Sequence, residues 1–118
     1  MPQTLAGLTD KLLAFRDERD WRQFQGLKNL IVSLNLESAE LLELTQWQND
    51  TELEHRIGEP EFQQKLEEET ADVLLYLLMI CERAGIDLGQ AASKKIAINA
   101  AKYPIEKARG NAKKYTKL

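Results

Sequence analysis

Apolar positions recur along this chain at helical spacing. Leu27, Leu30, Leu34, Glu37, Leu41 and Leu44 advance by 3, 4, 3, 4 and 3 residues, and Leu66, Glu69, Val73, Tyr76 and Ile80 by 3, 4, 3 and 4. Steps of that kind place every member on one stripe of a helix, the stripe that packs against a neighbour. Each stripe carries one glutamate where a leucine would be expected. Leu5, Leu8, Leu12 and Phe15 form a shorter apolar face earlier in the chain.

The pattern predicts a first helix from about Thr4 to Arg19, started by Gln3 or Thr4. A connection over Asp20–Gly26 follows, then a long helix from about Leu27 to Gln48, with Asn49-Asp50-Thr51 ending it or opening a turn. Residues 51–60, polar and containing Gly58 and Pro60, read as a loop with room for one short helical turn. Pro60 suits the first turn of a third helix running to about Ala84, where Gly85 fits a left-handed C-terminal cap. Asp87 can cap a fourth helix from Leu88 to about Lys102, which Tyr103-Pro104 breaks. No strand pattern, repeat or low-complexity segment stands out. The expected fold class is therefore all-α, an antiparallel bundle of about four main helices. Residues 1–108 read as one domain, and residues 109–118 as a basic, weakly patterned tail that is mobile or ordered on a partner.

Length and charge narrow the function. With 118 residues a single chain has a modest core, so assembly into an oligomer is expected. The longest apolar run, Val73–Cys81, falls far short of the roughly 20 residues needed to span a bilayer. The chain opens with no charged-then-apolar secretory pattern. One cysteine, Cys81, rules out an internal disulfide and fits a buried thiol in a reducing cytoplasm. Residues 1–93 hold 18 acidic and 8 basic side chains, whereas residues 94–118 hold 1 acidic and 8 basic. A basic end could bind nucleic acid, but the acidic remainder would repel a polyanion. A small, highly charged anion held between metal ions and the basic segment suits both halves.

The interrupted stripes carry the candidate chemistry. Glu37 and Glu40 form an E-x-x-E step, Glu69 and Asp72 an E-x-x-D step, with 28 residues between Glu40 and Glu69. Acidic pairs at this spacing are common on solvated faces, but solvated faces do not interrupt leucine stripes. A carboxylate in a stripe is costly unless paired, hydrogen-bonded or metal-bound. Four such groups on two helices suggest a divalent-cation site, and an all-oxygen donor set points to Mg²⁺ or Mn²⁺ over zinc. Glu43, Glu67 and Glu68 read as solvated or supporting. A di-iron carboxylate bundle would need Glu-x-x-His steps, which are missing, and the one histidine, His55, falls in the polar loop. No phosphate-binding Gly-x-x-x-x-Gly-Lys-Ser/Thr loop occurs. Trp21 and Trp47 either fill core or present an indole face to a planar base. Lys95, Asn99 and Tyr103 share one face of the fourth helix, offering a cation, an amide and a phenol, or else serve solvation and packing.

Taken together, these residues resemble the all-α nucleoside triphosphate pyrophosphohydrolases of the MazG-like group, and within it the branch acting on dCTP. The likeness runs through Phe15–Phe24 (FRDERDWRQF), Glu37–Trp47 (ESAELLELTQW), Glu68–Leu78 (EETADVLLYLL), Ser93–Pro104 (SKKIAINAAKYP) and Ala108–Leu118 (ARGNAKKYTKL). It implies Mg²⁺ ligands at Glu37, Glu40, Glu69 and Asp72, Trp21 and Trp47 at the nucleobase, and Lys95, Asn99 and Tyr103 around sugar and phosphates. It also implies a homo-oligomer, usually a tetramer built as paired dimers, with sites where subunits meet. The dCTP-directed members carry a histidine on the first helix near the base, and this chain has Leu12 there. The expected activity is Mg²⁺-dependent hydrolysis of a deoxynucleoside triphosphate, dCTP favoured, to monophosphate and pyrophosphate. The competing expectation is a non-catalytic helical interaction module whose stripe glutamates set register or partner choice.

Overall fold

A computed structural model describes residues 3–118, and those residues contain helices and turns but no strand. They form two compact units, one ending at Gly85 and the other spanning Ile86–Leu118.

The first unit contains α1 (Leu5–Glu18), a 3₁₀ turn at Arg22–Phe24, α2 (Leu27–Glu43), α3 (Asp50–Arg56) and α4 (Pro60–Ala84). Each start has a local cause. The Thr4 hydroxyl accepts from the Gly7 amide at 3.0 Å, and Pro60 occupies the first turn of α4, where its missing N–H costs nothing. Gly85 closes α4 in the left-handed conformation at φ +69°, which a side chain would disfavour. The two leucine-rich stripes meet: α2 packs chiefly on α4, and α1 also packs on α4. Leu30 lies opposite Tyr76, Glu37 near Glu69, and Leu41 opposite Leu66, so the two long helices run antiparallel. Leu30, Phe62, Leu78, Met79 and Cys81 are the buried apolar residues of this unit. The buried Cys81 thiol is free, as expected from its apolar surroundings in sequence.

One buried position among the described residues is charged. The Arg16 side chain is 8% exposed, with Nε donating to Asp17 Oδ1 at 2.8 Å and a longer ion pair to Glu82 at 3.6 Å. The pairing raises the Arg16 pKa further above its usual range and lowers that of Asp17, in both cases mainly through their shared hydrogen bond.

Two boundaries depart from the pattern-based expectation. The second helix stops at Glu43, not near Gln48. Leu44, Thr45 and Gln46 bond back three residues instead of four, and the Thr45 hydroxyl donates to the Leu42 carbonyl at 2.7 Å. Those bonds tighten the chain out of α-helix, and Trp47 then adopts φ +67°. The stretch expected to be a loop holds the seven-residue helix α3. Asn49 starts it with a reciprocal cap: its side chain accepts from the Glu52 amide at 2.8 Å and donates to the Glu52 carboxylate at 3.0 Å. His55 lies exposed on this helix.

The second unit holds α5 (Leu88–Lys102), α6 (Ile105–Ala108) and a terminal 3₁₀ turn at Tyr115–Lys117. The Asp87 side chain caps α5, accepting from the Gln90 amide at 3.0 Å. The basic tail folds back on this unit: Tyr115 meets the Tyr103 ring edge-on at 6.1 Å, and the Lys102 ammonium sits 4.8 Å from the Tyr115 ring centre. Four long helices are thus present among the described residues, as expected, with the short α3 between α2 and α4 and the short α6 after α5. No helix among the described residues is long and apolar enough to cross a membrane.

Candidate functional site

The antiparallel register of α2 and α4 brings the interrupting glutamates of the two stripes together. Glu37, Glu40 and Glu69 each place a carboxylate oxygen within 4.8 Å of the others. Glu37 and Glu69 are half-buried, because their stripe positions face the opposite helix, and Glu40, one turn along, is exposed. Oε2 of Glu37 and Oε2 of Glu69 are both sealed from solvent without a hydrogen-bond partner. A buried acceptor left unpaired is a cost that folded proteins rarely tolerate without a ligand to relieve it.

The electrostatics agree with the geometry. Burial is the first cause that raises the Glu37 pKa, followed by the adjacent Glu40 carboxylate, then Asp72 and Glu69. Glu69 is raised by burial first and by Glu40 next, with Asp72 and Glu68 adding to it. Asp72 stands outside the three-oxygen cluster, but its charge is felt by both stripe glutamates. The donor set is all oxygen, from carboxylates alone, which fits a hard divalent cation. The residues present therefore fit Mg²⁺ or Mn²⁺ on two grounds, the donor chemistry and the two orphaned oxygens.

Asp72 also belongs to a second feature. It lines a cavity of about 220 Å³ together with Leu12, Phe15, Arg16, Trp21, Gln25, Leu75, Tyr76 and Met79. Trp21 reaches this wall from the connection between α1 and α2, held edge-on against Phe15 with ring centres 5.7 Å apart. Trp21, Gln25 and Tyr76 also line an adjoining hollow of about 230 Å³ with Phe24, Asn29, Leu30 and Ser33. An aromatic, largely apolar cavity thus adjoins the acidic helices and shares a carboxylate with them.

The other sequence-predicted residues lie elsewhere. Trp47 is 92% exposed in the turn beyond α2, so it fills no core within this chain. Lys95 and Asn99 are exposed on α5, and Tyr103 caps that helix, its amide bonded to the Asn99 carbonyl at 2.9 Å. These three form one stripe in the second compact unit. Sequence reasoning passed over Gln25, Tyr76 as a cavity residue, and Arg16. Arg16 lay four residues beyond Leu12 on the apolar face of α1 and could have been singled out there. Gln25, in a polar connection, carried no such signal.

Fold and site together define an all-α protein with a carboxylate cluster suited to a divalent cation between paired helices. The chain belongs to the MazG-like family, whose model matches residues 32–118. It is 43% identical to dCTP pyrophosphatase 1 of Mus musculus over 104 residues, covering 88% of this chain and 61% of that protein. The Homo sapiens dCTP pyrophosphatase 1 is 41% identical over the same length and coverage. The chain thus spans about 61% of the length of these curated relatives. A crystal structure of a pyrophosphatase from Archaeoglobus fulgidus superposes with a TM-score of 0.79 at 40% identity, covering 88% of this chain and 95% of that one.

Proposed function

We propose that the chain is a Mg²⁺-dependent nucleoside triphosphate pyrophosphohydrolase that converts a deoxynucleoside triphosphate, dCTP favoured, to its monophosphate and pyrophosphate, and so removes unwanted nucleotides from the cytoplasmic pool. One observation carries most of the weight: Glu37 and Glu69, each with an unpartnered sealed oxygen, meet from the two long helices in one carboxylate cluster, and Asp72, whose charge both feel, lines an aromatic cavity. The names of the relatives and of the superposed pyrophosphatase support the same reaction class.

Glu37, Glu40, Glu69 and Asp72 would hold the divalent cation. When bound, it would neutralise the triphosphate and polarise the phosphoryl oxygens. Trp21 offers an indole face to the base from the cavity wall, and Trp47 a second face from the turn after α2. Lys95, Asn99 and Tyr103 would bind the sugar and phosphates, with the cationic Lys95 matched to the anionic chain. Water attacks the α-phosphorus in line. Its proton passes to one carboxylate of the cluster, and pyrophosphate leaves.

The working enzyme is a homo-oligomer, a tetramer built as paired dimers. In a single chain α2 leaves Leu27, Ile31, Val32, Leu36 and Leu42 exposed, an apolar surface that a second copy would cover. A groove of about 440 Å³ between α2, α3 and α4, walled by leucines with Ile57 and Phe62, adds to it.

The test is a panel of triphosphates with Mg²⁺, analysed for monophosphate and pyrophosphate. In ¹⁸O-labelled water the label is expected in the monophosphate. Label only in pyrophosphate would refute attack at the α-phosphorus, and stepwise orthophosphate release would refute the assignment. A protein that turns over no triphosphate would leave the interaction-module reading in its place.

A further inference from the structure

The first helix is seated on α4 in an unusual way. Its one fully buried residue is Arg16, whereas Leu8 and Leu12 of its apolar face are only half-buried. The Arg16 guanidinium reaches Glu82 Oε2, in the last turn of α4, at 3.6 Å. Its Nε donates to Asp17 Oδ1 at 2.8 Å, which fixes the plane of the group beside Glu82. A buried ion pair is often no more stabilising than apolar residues of the same volume. What it supplies beyond a leucine is direction: two hydrogen-bonding groups meet in one geometry, where two alkyl chains could slide.

The same residue governs how the chain leaves α1. The Trp21 amide donates to the Arg16 carbonyl at 3.1 Å and the Asp20 amide to the Asp17 carbonyl at 3.1 Å, with Asp20 left-handed at φ +53°. This is the helix ending in which an apolar residue just past the turn packs back on the last helical turn. Here that residue is Trp21, edge-on against Phe15 at 5.7 Å. Arg19 steadies Phe15 in turn, its guanidinium 3.7 Å from the ring centre and bonded to the Phe15 carbonyl at 2.9 Å. Trp21 therefore moves as one piece with the end of α1. Across the cavity, Asp72 and Tyr76 belong to α4. The gap between these walls depends on how α1 sits on α4, and Arg16 stands at both joints.

We propose that Arg16 is a positioning residue for substrate binding: its carbonyl carries Trp21, its guanidinium grips Glu82, and the pair sets the width of the gap between Trp21 and the α4 face that bears Asp72 and Tyr76. The functional part of this assignment rests on the pyrophosphohydrolase reading above. Arg16 acts through Trp21 and not by touching the reacting atoms. The carboxylates of the cluster come from α2 and α4 alone. Loosening α1 should therefore weaken the hold on substrate and spare the chemical step.

The experiment compares wild-type protein with Arg16→Met, Glu82→Gln and the double variant, using two readouts. The first is steady-state kinetics with dCTP and Mg²⁺. Each single variant should raise KM by about fivefold, the scale of one partly exposed ion pair, with kcat within about twofold. The double variant should match the singles, because both remove the same contact. Glu82→Gln changes only a half-buried side chain, so it keeps the test open if Arg16→Met fails to fold. The second readout needs no turnover. In a Trp47→Phe background Trp21 is the one tryptophan, and either variant should shift its emission to the red and raise its quenching by acrylamide. A purely structural role would lower Tm and leave KM and the Trp21 emission of the folded variants unchanged, and that result would overturn the proposal. KM effects that multiply in the double variant would also overturn it, since Arg16 would then not act through Glu82. If the wild type hydrolyses no triphosphate, the pyrophosphohydrolase reading fails, while the Trp21 emission still decides whether Arg16 and Glu82 place that ring.

Discussion

Glu37→Gln should make the protein more stable without metal and less stable with it. Glu37 Oε2 is sealed and unpartnered, and another oxygen of the same cluster lies within 4.8 Å on each of Glu40 and Glu69. Without a cation, the folded state holds these like charges together. A neutral amide of the same shape removes one of them and can donate to Glu40, so the metal-free variant should melt at or above the wild type. With Mg²⁺ the order reverses, because an amide is a poorer ligand than a carboxylate. Saturation at about 100 times the dissociation constant stabilises a folded protein by about 2.7 kcal/mol. At about 2.1 cal/mol/K of unfolding entropy per residue, a chain of 118 residues should gain about 11 °C in Tm. If the variant binds about tenfold more weakly, the same Mg²⁺ concentration contributes about 1.4 kcal/mol and about 6 °C. Differential scanning fluorimetry with EDTA and with a Mg²⁺ titration would resolve these values. Equal Mg²⁺ increments in the two proteins would remove Glu37 from the site. A variant less stable by the same amount in both conditions would show that Glu37 has only a structural role.

Two further outcomes follow from the same geometry. The Glu37 and Glu69 carboxyls have pKa values above the ordinary glutamate value in the folded chain, so between that value, about pH 4.3, and the raised ones the folded state binds more protons than the unfolded. Stability of the metal-free protein should therefore fall as pH rises through that window and then level off, and Glu37→Gln should flatten the fall; a metal-free stability that climbs with pH across the same window would contradict the burial of these groups. Trp47→Ala, at a 92% exposed turn residue, should leave Tm within about 2 °C while raising KM for dCTP by about tenfold, the loss of about 1.4 kcal/mol of stacking; a folded variant with unchanged KM would exclude Trp47 from base binding.

What could be read from sequence divides along a physical line. Helix positions came from periodicity and from caps whose chemistry is local: Thr4, one of two candidates, caps the first helix, Asp87 caps the helix it was expected to cap, and Gly85 takes the left-handed cap. The errors lie where local bonds compete with the helix. Thr45 bonds back to Leu42 and ends α2 early, and the reciprocal cap between Asn49 and Glu52 starts α3 in a stretch judged a loop. That second error was avoidable, since Asn-x-x-Glu is a capping pattern readable in sequence.

The candidate site divides in the same way. A glutamate in a leucine stripe is legible because its cost is incurred by the stripe itself, wherever the partner helix comes from. Two interrupted stripes, packed antiparallel, could bring their glutamates together only if they met at the same level, and the convergence of Glu37 and Glu69 within 4.8 Å is that condition satisfied. The cavity has no such signature. Its walls come from α1, from the connection after it and from α4, and it exists because Asp20–Gly26 turns back over the helices. Trp21 could be suspected for its size and chemistry. Gln25 could not, since an isolated glutamine beside a glycine in a polar segment is indistinguishable from a solvated one until the fold encloses it. The groups that hold charge are thus written into the periodicity of the helices, whereas part of the cavity wall is supplied by a connection whose meaning arises only from tertiary structure. By that division, a relative that keeps both interrupted stripes but changes the connection should keep its metal response and alter its base preference.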